Sequence, residues 1–325
     1  MFDSDRDLPP IPDFTAAVWA AVRSLPSGAA TTYGRIAEAL GDRVAAKAVA
    51  VVLQRPHDAT DCGCFRVVRA GGALGRYAHG SPDEQMRRLI EDGVPTENTC
   101  VSHLTEVRRS DILSPLREWQ SRTGEQPWSG PTVTEMPRFI GGVDVSYTKA
   151  GQPVAAAVVY DRRTGETIAE ATASGEAALP YISGYLTFRE LPSMAAAWAA
   201  VAKESRQRPS IVLVDGSGRL HPRGNGIACS FAAVTGCATI GITKAHLHGD
   251  VATSDGGRSP ILVDGRVKGF QLTSPGVSAR LDVSPGQGID PTLAAAVVSH
   301  SMRGHRLPEP IFVADRLSRA VAQTL

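Results

Sequence analysis

Two stretches decide how this chain folds: Phe139-Ile-Gly-Gly-Val-Asp-Val145 and Ile211-Val-Leu-Val-Asp215. Each is a short apolar run closing on an aspartate, the pattern of a buried strand whose C-terminal end opens onto a crevice. Beyond the first run, Val154–Tyr160 and Thr167–Ala173 read as two further strands joined by the turn Asp161-Arg-Arg-Thr-Gly165. Around the second, Ala195–Lys203 predicts a helix, Ala238–Thr243 a strand and Pro291–Ser301 a late helix. An antiparallel start followed by alternating helix and strand makes an α/β domain on a mixed sheet.

The rest of the chain is a separate unit. In the first hundred residues Phe14, Val18, Val22 and Leu25 recur at helical spacing, and Pro26-Ser27-Gly28 stops that helix. Thr31 or Thr32 caps a second helix over Tyr33–Leu40, Gly41 ends it, and Arg43–Gln54 is helical again, stopping before Pro56. Two short helices joined through a glycine turn are the helix-turn-helix pattern of DNA readers, although a small helical bundle has the same pattern. The domain division expected is 1–104 and 105–325, with residues 105–138 holding a linker and a leading helix over Ile112–Arg122.

With 325 residues, 42% hydrophobic and 21% charged, the chain is long enough for two cores. No apolar run is long enough to span a bilayer, and Met1–Asp13, carrying four aspartates, lacks the order of a signal peptide. Five scattered cysteines do not make a disulfide framework, so unpaired thiols in a reducing cytoplasm are expected. A zinc site from Cys62, Cys64, Cys100 and His103 is the alternative, although that spacing is not a standard one. The net charge of +1 neither marks nor excludes a nucleic-acid binder, since a balanced total can hide a basic face.

Asp144 and Asp215 stand at the ends of their strands, and Glu190 follows Phe188-Arg189 ahead of the predicted helix. Carboxylates converging from strand ends suit magnesium or manganese, which position water and stabilise charge on a displaced phosphate. Aspartates that merely form turns are the alternative.

The surrounding motifs narrow this. Gly142-Val-Asp-Val-Ser146, Pro180-Tyr-Ile-Ser-Gly-Tyr-Leu-Thr-Phe-Arg-Glu190, Val214-Asp-Gly-Ser-Gly-Arg-Leu-His-Pro-Arg-Gly-Asn-Gly-Ile-Ala228, Thr239-Ile-Gly-Ile-Thr-Lys244 and Val283-Ser-Pro-Gly286 stand in order. Together they closely resemble the endonuclease V family, from about Ile112 to the C-terminus. The resemblance implies a ribonuclease H-like fold and a magnesium-dependent cut, with manganese as an alternative ion. The cut would fall one nucleotide 3′ of a deaminated base, chiefly hypoxanthine. It makes Asp144, Glu190 and Asp215 the metal site and places Lys244 near the reacting phosphate. Tyr181 matches the wedge that fills the gap left by an extruded base, and Gly184, Leu186, Gly216, His221 and Ile227 match the pocket receiving it. One position departs: Gln287 stands where the family commonly has a histidine, and glutamine neither titrates near neutrality nor ligates metal well. Asp290 nearby reads as a helix N-cap.

A second resemblance covers residues 14–95. Thr32-Tyr-Gly-Arg-Ile-Ala-Glu-Ala-Leu-Gly41, Ala46-Lys-Ala-Val49, Phe65-Arg-Val-Val68, Leu74-Gly-Arg-Tyr77 and Leu89-Ile-Glu-Asp-Gly-Val94 resemble the DNA-binding domain of alkylguanine alkyltransferases. This implies a winged helix-turn-helix that flips an alkylated guanine. Tyr33 would rotate the base, Lys47 would stand in for an intercalating arginine, and Tyr77 would line the pocket. In place of Pro-Cys-His-Arg the chain reads Gly63-Cys64-Phe65-Arg66. Cys64 is retained but the histidine that relays its proton is Phe65, the acid ending the relay is Asp92, and Arg55 replaces an asparagine. A thiol without a neighbouring base is a poor nucleophile, so lesion recognition is expected over alkyl transfer. The whole chain reads as a DNA repair endonuclease with damaged DNA as partner. An inosine-specific ribonuclease, a non-catalytic damage binder and a bifunctional alkyltransferase–nuclease acting through Cys64 are the alternatives.

Overall fold

The computed structural model describes residues 8–55, 62–253, 257–273 and 280–325. The chain divides into two compact units, one of Pro10–Arg117 with Ala178–Tyr185, the other including Glu118–Ala177 and Leu186–Leu325.

In the first unit, α1 (Phe14–Arg23) is capped by Asp13, whose side chain accepts from the Ala16 amide at 2.8 Å, and buries Phe14, Val18 and Val22 as their spacing requires. A short strand, β1 (Thr31–Thr32), leads into α2 (Tyr33–Ala39), which is capped by Thr32. Asp42 then caps a 3-10 turn at Arg43–Ala45, and α3 (Ala46–Gln54) completes the helix-turn-helix. Pro56, expected to end α3, lies outside the described residues. Strand β2 (Val67–Val68) pairs in parallel with β1. Next come α4 (Pro82–Glu91), with Ser81 as its cap, and the antiparallel pair β3 (Thr96–Glu97) and β4 (Cys100–Val101). Helix α5 (Ser114–Glu125) follows, close to the expected Ile112–Arg122; from Glu118 on it belongs to the second unit.

The second unit is built on a nine-stranded mixed sheet. Its first three strands, β5 (Phe139–Tyr147), β6 (Pro153–Asp161) and β7 (Glu166–Ser174), form the expected antiparallel meander. After α6 (Leu186–Glu204), strand β8 (Ile211–Asp215) pairs in parallel with β5; after α7 (Ile227–Thr235), β9 (Ala238–Thr243) pairs in parallel with β8. The remaining strands are β10 (Asp250–Val251), β11 (Arg258–Val263), β12 (Arg266–Thr273) and β13 (Arg280–Gln287), and the order across the sheet is β10-β11-β12-β13-β9-β8-β5-β6-β7. Helices α8 (Pro291–His300) and α9 (Glu309–Thr324) close the chain.

Strand β8 shows why its apolar run is continuous. Ile211 and Leu213 join one core with residues of α8 and with Ile311, while Val212 and Val214 join another with residues of α6 and α7. A strand covered on both faces needs apolar side chains at every position. The α/β class and the ribonuclease H-like mixed sheet expected from the sequence are thus observed, with three corrections. Helix α6 begins at Leu186, not Ala195, so Glu190 lies inside it; the exposed Pro192 within the helix hid the true start. Val283-Ser-Pro-Gly286, not anticipated as a strand, lies toward the end of β13, where the register shift between Pro285 and Gln287 accommodates the missing proline donor. Strands β11 and β12 and helices α7 and α9 were not anticipated. Asp290 is the N-cap of α8, accepting from the amides of Thr292 at 2.8 Å and Leu293 at 3.0 Å.

Candidate active site

Val143 of β5 lies opposite Val214 of β8, so the next residue on each parallel strand, Asp144 and Asp215, emerges side by side at the same end of the sheet. Asp144 is only 3% exposed. Burial, and then the hydrogen-bonded Asp215 carboxylate, push its pKa well above the usual carboxylate range, with Lys244 opposing. Lys244, just past β9, donates from Nζ to Asp215 Oδ2 at 2.6 Å. Burial pulls its ammonium toward neutrality, but the carboxylates of Asp215, Asp144 and Asp315 outweigh this and hold it above its ordinary value. From α9, Ser318 Oγ donates to Asp144 Oδ2 at 3.0 Å and lies 2.9 Å from Ser146 Oγ. Glu190 comes from the second turn of α6 and is buried. Burial lifts it to about 7, against the hydrogen bond that Tyr147 Oη donates to its Oε1. Arg189 Nε in turn donates to Tyr147 Oη at 2.8 Å, and its guanidinium lies over the ring. Two carboxylates in contact cannot both ionise without a cation between or beside them. The donor set, three carboxylates with one ammonium already close, fits a hard divalent cation held by oxygen.

The expected pocket residues divide between the two units. In the second unit Gly216, at φ +147°, faces Leu186 and Ile227; a Cβ there would meet Ile227 Cγ2 at 2.2 Å, so only glycine fits. His221 is buried and its Nδ1 accepts from the Arg223 amide at 3.1 Å. Gln287 does not stand open for a metal: its Oε1 accepts from Arg219 Nη2 at 2.9 Å. Tyr181 and Gly184 belong to the segment Ala178–Tyr185, which packs in the first unit. There Tyr181 is 64% exposed, whereas Tyr185 is fully buried and donates from Oη to Asp42 Oδ2 at 2.7 Å. Asp42 is the residue that caps the turn between α2 and α3.

Elsewhere in the first unit, Tyr33 opens α2 with its hydroxyl against Gly75, and Lys47 is exposed in the first turn of α3 on a face with the exposed Val44 and Val51. Arg66 is engaged by Asp92, Nε to Oδ2 at 2.7 Å, in a fork that holds Asp92 below the usual carboxylate range. Asp92 also accepts from the Gly28 amide at 3.1 Å and from Ser27 Oγ at 3.0 Å. Tyr77 is buried and accepts from Arg88 Nη1 at 2.5 Å. Cys64 is buried and, against the expectation of unpaired thiols, is joined to Cys62 as a disulfide; the left-handed Gly63 between them turns both sulfurs to one side. The pair gathers with His79, not with Cys100, because β4 carries Cys100 into a bridge with Ala73. Cys100, Cys229 and Cys237 are free thiols.

A family model described as Endonuclease V matches residues 127–316, more than half of the chain and all four of the clustered residues. The chain belongs to the endonuclease V family. A second model, 6-O-methylguanine DNA methyltransferase, DNA binding domain, matches residues 13–94. A Thermoplasma volcanium protein named bifunctional methyltransferase/endonuclease is 32% identical over 324 residues, spanning 96% of this chain and 91% of its own. An endonuclease V of Xanthomonas campestris is 36% identical over 210 residues, 63% of this chain and 87% of its own. The crystal structure of endonuclease V from Streptomyces avermitilis superposes with a TM-score of 0.56 at 32% identity, covering 64% of this chain and 92% of that one. The endonuclease V family is one of metal-dependent nucleases, and this member is an enzyme that carries an alkyltransferase-type DNA-binding domain ahead of the nuclease.

Around the endonuclease V carboxylates the sequence reading missed Tyr147, Ser318 and Asp315. Tyr147 had no periodic signal, since a residue three places past Asp144 on a strand is expected on the opposite face. Ser318 and Asp315 had none, because α9 reaches the site only through its packing on β5 and β6. Among the described residues no helix is long and apolar enough to cross a membrane.

Proposed function

We propose that this protein cuts DNA one nucleotide 3′ of a deaminated base, chiefly deoxyinosine, with Asp144, Glu190 and Asp215 holding magnesium, for which manganese can substitute. The observation that carries this reading is the strand register that sets buried Asp144 beside Asp215, with Lys244 Nζ 2.6 Å from Asp215. Magnesium, when bound, supplies charge stabilisation at the phosphate and an acidified water. The chain's own residues do the rest. Ser318 orients Asp144, Tyr147 orients Glu190, and Lys244 presents an ammonium to the developing phosphate charge. Leu186, Gly216, His221 and Ile227 of the second unit are the residues for an extruded base, and Gly184 and the exposed Tyr181 of the first unit are the matching family positions for base and wedge. We further propose that residues 1–104 form the lesion-recognition domain and 105–325 the nuclease, acting in the cytoplasm. Tyr33 would rotate an alkylated base, Lys47 would enter the stack, and Arg66 and Tyr77 would shape the pocket.

Incubation of the wild type and Asp144→Ala with inosine-containing DNA and RNA, with Mg²⁺ or EDTA, tests the nuclease reading. Cleavage of inosine DNA at the displaced position, by wild type with Mg²⁺ alone, is expected. Wild type that never cuts overturns the proposal, and cleavage confined to RNA replaces it by the ribonuclease reading.

A second reading, alkyl transfer to Cys64, is favoured by the whole-length relative named bifunctional methyltransferase/endonuclease. Phe65 in place of a proton-relaying base, and Asp92 held by Arg66, count against it. Mass spectrometry of Cys64 after incubation with methylguanine DNA decides: a gain of one methyl establishes transfer, and binding without the gain leaves recognition alone.

A further inference from the structure

The first unit holds a second cluster of chemistry-bearing side chains. The sulfurs of Cys62 and Cys64 and a ring nitrogen of His79 all lie within 4.8 Å of one another. Both cysteines are buried, at 8% and 6% exposure, and His79 is half-buried. Gly63, at φ +61°, reverses the chain between the cysteines. That reversal lets the Cys64 amide donate to Cys62 Sγ at 3.2 Å, the kind of bond that stabilises a thiolate. The ring of Tyr77 packs edge-on against His79, with centroids 5.8 Å apart, and limits the imidazole's rotation.

We propose that Cys62, Cys64 and His79 form a binding site for a borderline-soft divalent cation, with zinc the chemically matched ion. Two thiolates and one imidazole are the donors that zinc prefers, and oxygen-seeking magnesium is poorly served by them. Three protein ligands leave one tetrahedral position for water or another small donor. The ion binds the reduced pair: each thiol gives its proton to solvent as its metal–sulfur bond forms. In the disulfide form no thiolate exists, and the pair must first be reduced: two thiols supply two electrons and two protons and become a disulfide, or a phosphine supplies two electrons and becomes its oxide while water supplies the oxygen and the two protons. This site is independent of the carboxylates and does not rest on the nuclease reading.

The test uses the full chain, stripped of metal and reduced with a phosphine, and titrates it with Co²⁺ as the spectroscopic probe. One equivalent should produce intense thiolate-to-cobalt charge transfer in the near ultraviolet with tetrahedral bands in the visible, and added Zn²⁺ should abolish both. The oxygen-only site at Asp144 and Asp215 cannot give the charge-transfer band, so the two sites are told apart. Cys62→Ser or Cys64→Ser should reduce that band, and His79→Ala should shift the visible bands and weaken binding by at least about tenfold. Circular dichroism and inosine cleavage should match wild type in all three variants, which excludes misfolding. Absence of the charge-transfer band in reduced wild type overturns the proposal. So does a His79→Ala protein with unchanged spectrum and affinity, or an intact mass showing that Cys62 and Cys64 stay disulfide-bonded in the presence of reductant.

Discussion

Asp215→Asn removes the charge that Lys244 pairs with and the carboxylate that, after burial, raises the pKa of Asp144. Cleavage of inosine DNA is expected to fall by roughly 10²–10³-fold or more, while binding of that DNA in EDTA stays within a few-fold; single-turnover rates and filter binding measure the two. An asparagine variant that cuts at the wild-type rate would exclude Asp215 from the chemistry. Glu190 gives a pH-dependent outcome. Burial raises it from an ordinary 4.5 to about 7, so the metal-free fold favours its protonated form. The stability it contributes is complete below about 4.5 and is lost as pH rises through about 7. A divalent cation favours the ionised form, so magnesium should bind more tightly at pH 8 than at pH 6. Thermal scans and calorimetric titrations across that range should show both trends, and Glu190→Gln should flatten them; a variant with the wild-type slope would assign the titration to another group.

At the scale of elements, the segment Ala178–Tyr185 runs in sequence between β7 and α6 yet packs with the helix-turn-helix. Its anchor is Tyr185, whose hydroxyl meets the aspartate that caps the turn before α3. Tyr185→Phe keeps the buried ring and deletes one hydrogen bond to a charged acceptor, so a loss of about 1.5–3 kcal/mol in unfolding free energy is expected by denaturant titration. Asp42→Ala should cost as much or more, because it removes the cap as well. If both variants unfold at the wild-type midpoint, the contact does not order this segment. By contrast Tyr181→Ala should leave stability unchanged, since the ring is 64% exposed, and should weaken discrimination between inosine and undamaged DNA.

For the whole molecule, the two chemistries should come apart under chelation. EDTA is expected to abolish cleavage while leaving DNA binding by the helix-turn-helix, and Lys47→Ala should weaken that binding without touching the metal dependence of cleavage. The net charge of +1 makes such binding depend on local faces rather than on a global field, so its salt dependence should report only the few phosphate contacts the protein makes. Equal loss of binding and cleavage on adding EDTA would contradict the separation.

Local signals along the chain, apolar runs, caps and turn glycines, were enough for the strands around Asp144 and Asp215 and for the helix-turn-helix, while the charged residues that cluster were named through the resemblance to the endonuclease V family. The sequence also marked Phe65 as the break in the alkyl-transfer relay. What it did not contain was the company these residues keep. Ser318 on Asp144, Tyr147 on Glu190, Arg66 on Asp92, Arg219 on Gln287, and His79 beside Cys62 and Cys64 join residues distant along the chain. The run of Glu190 inside α6 was hidden by Pro192, whose local preference the packed helix overrides. Local preference is set by neighbours a few residues away and can be read along the chain. Which carboxylate is buried, which is paired and which cysteine meets a histidine follow from long-range packing, and only the folded chain decides them.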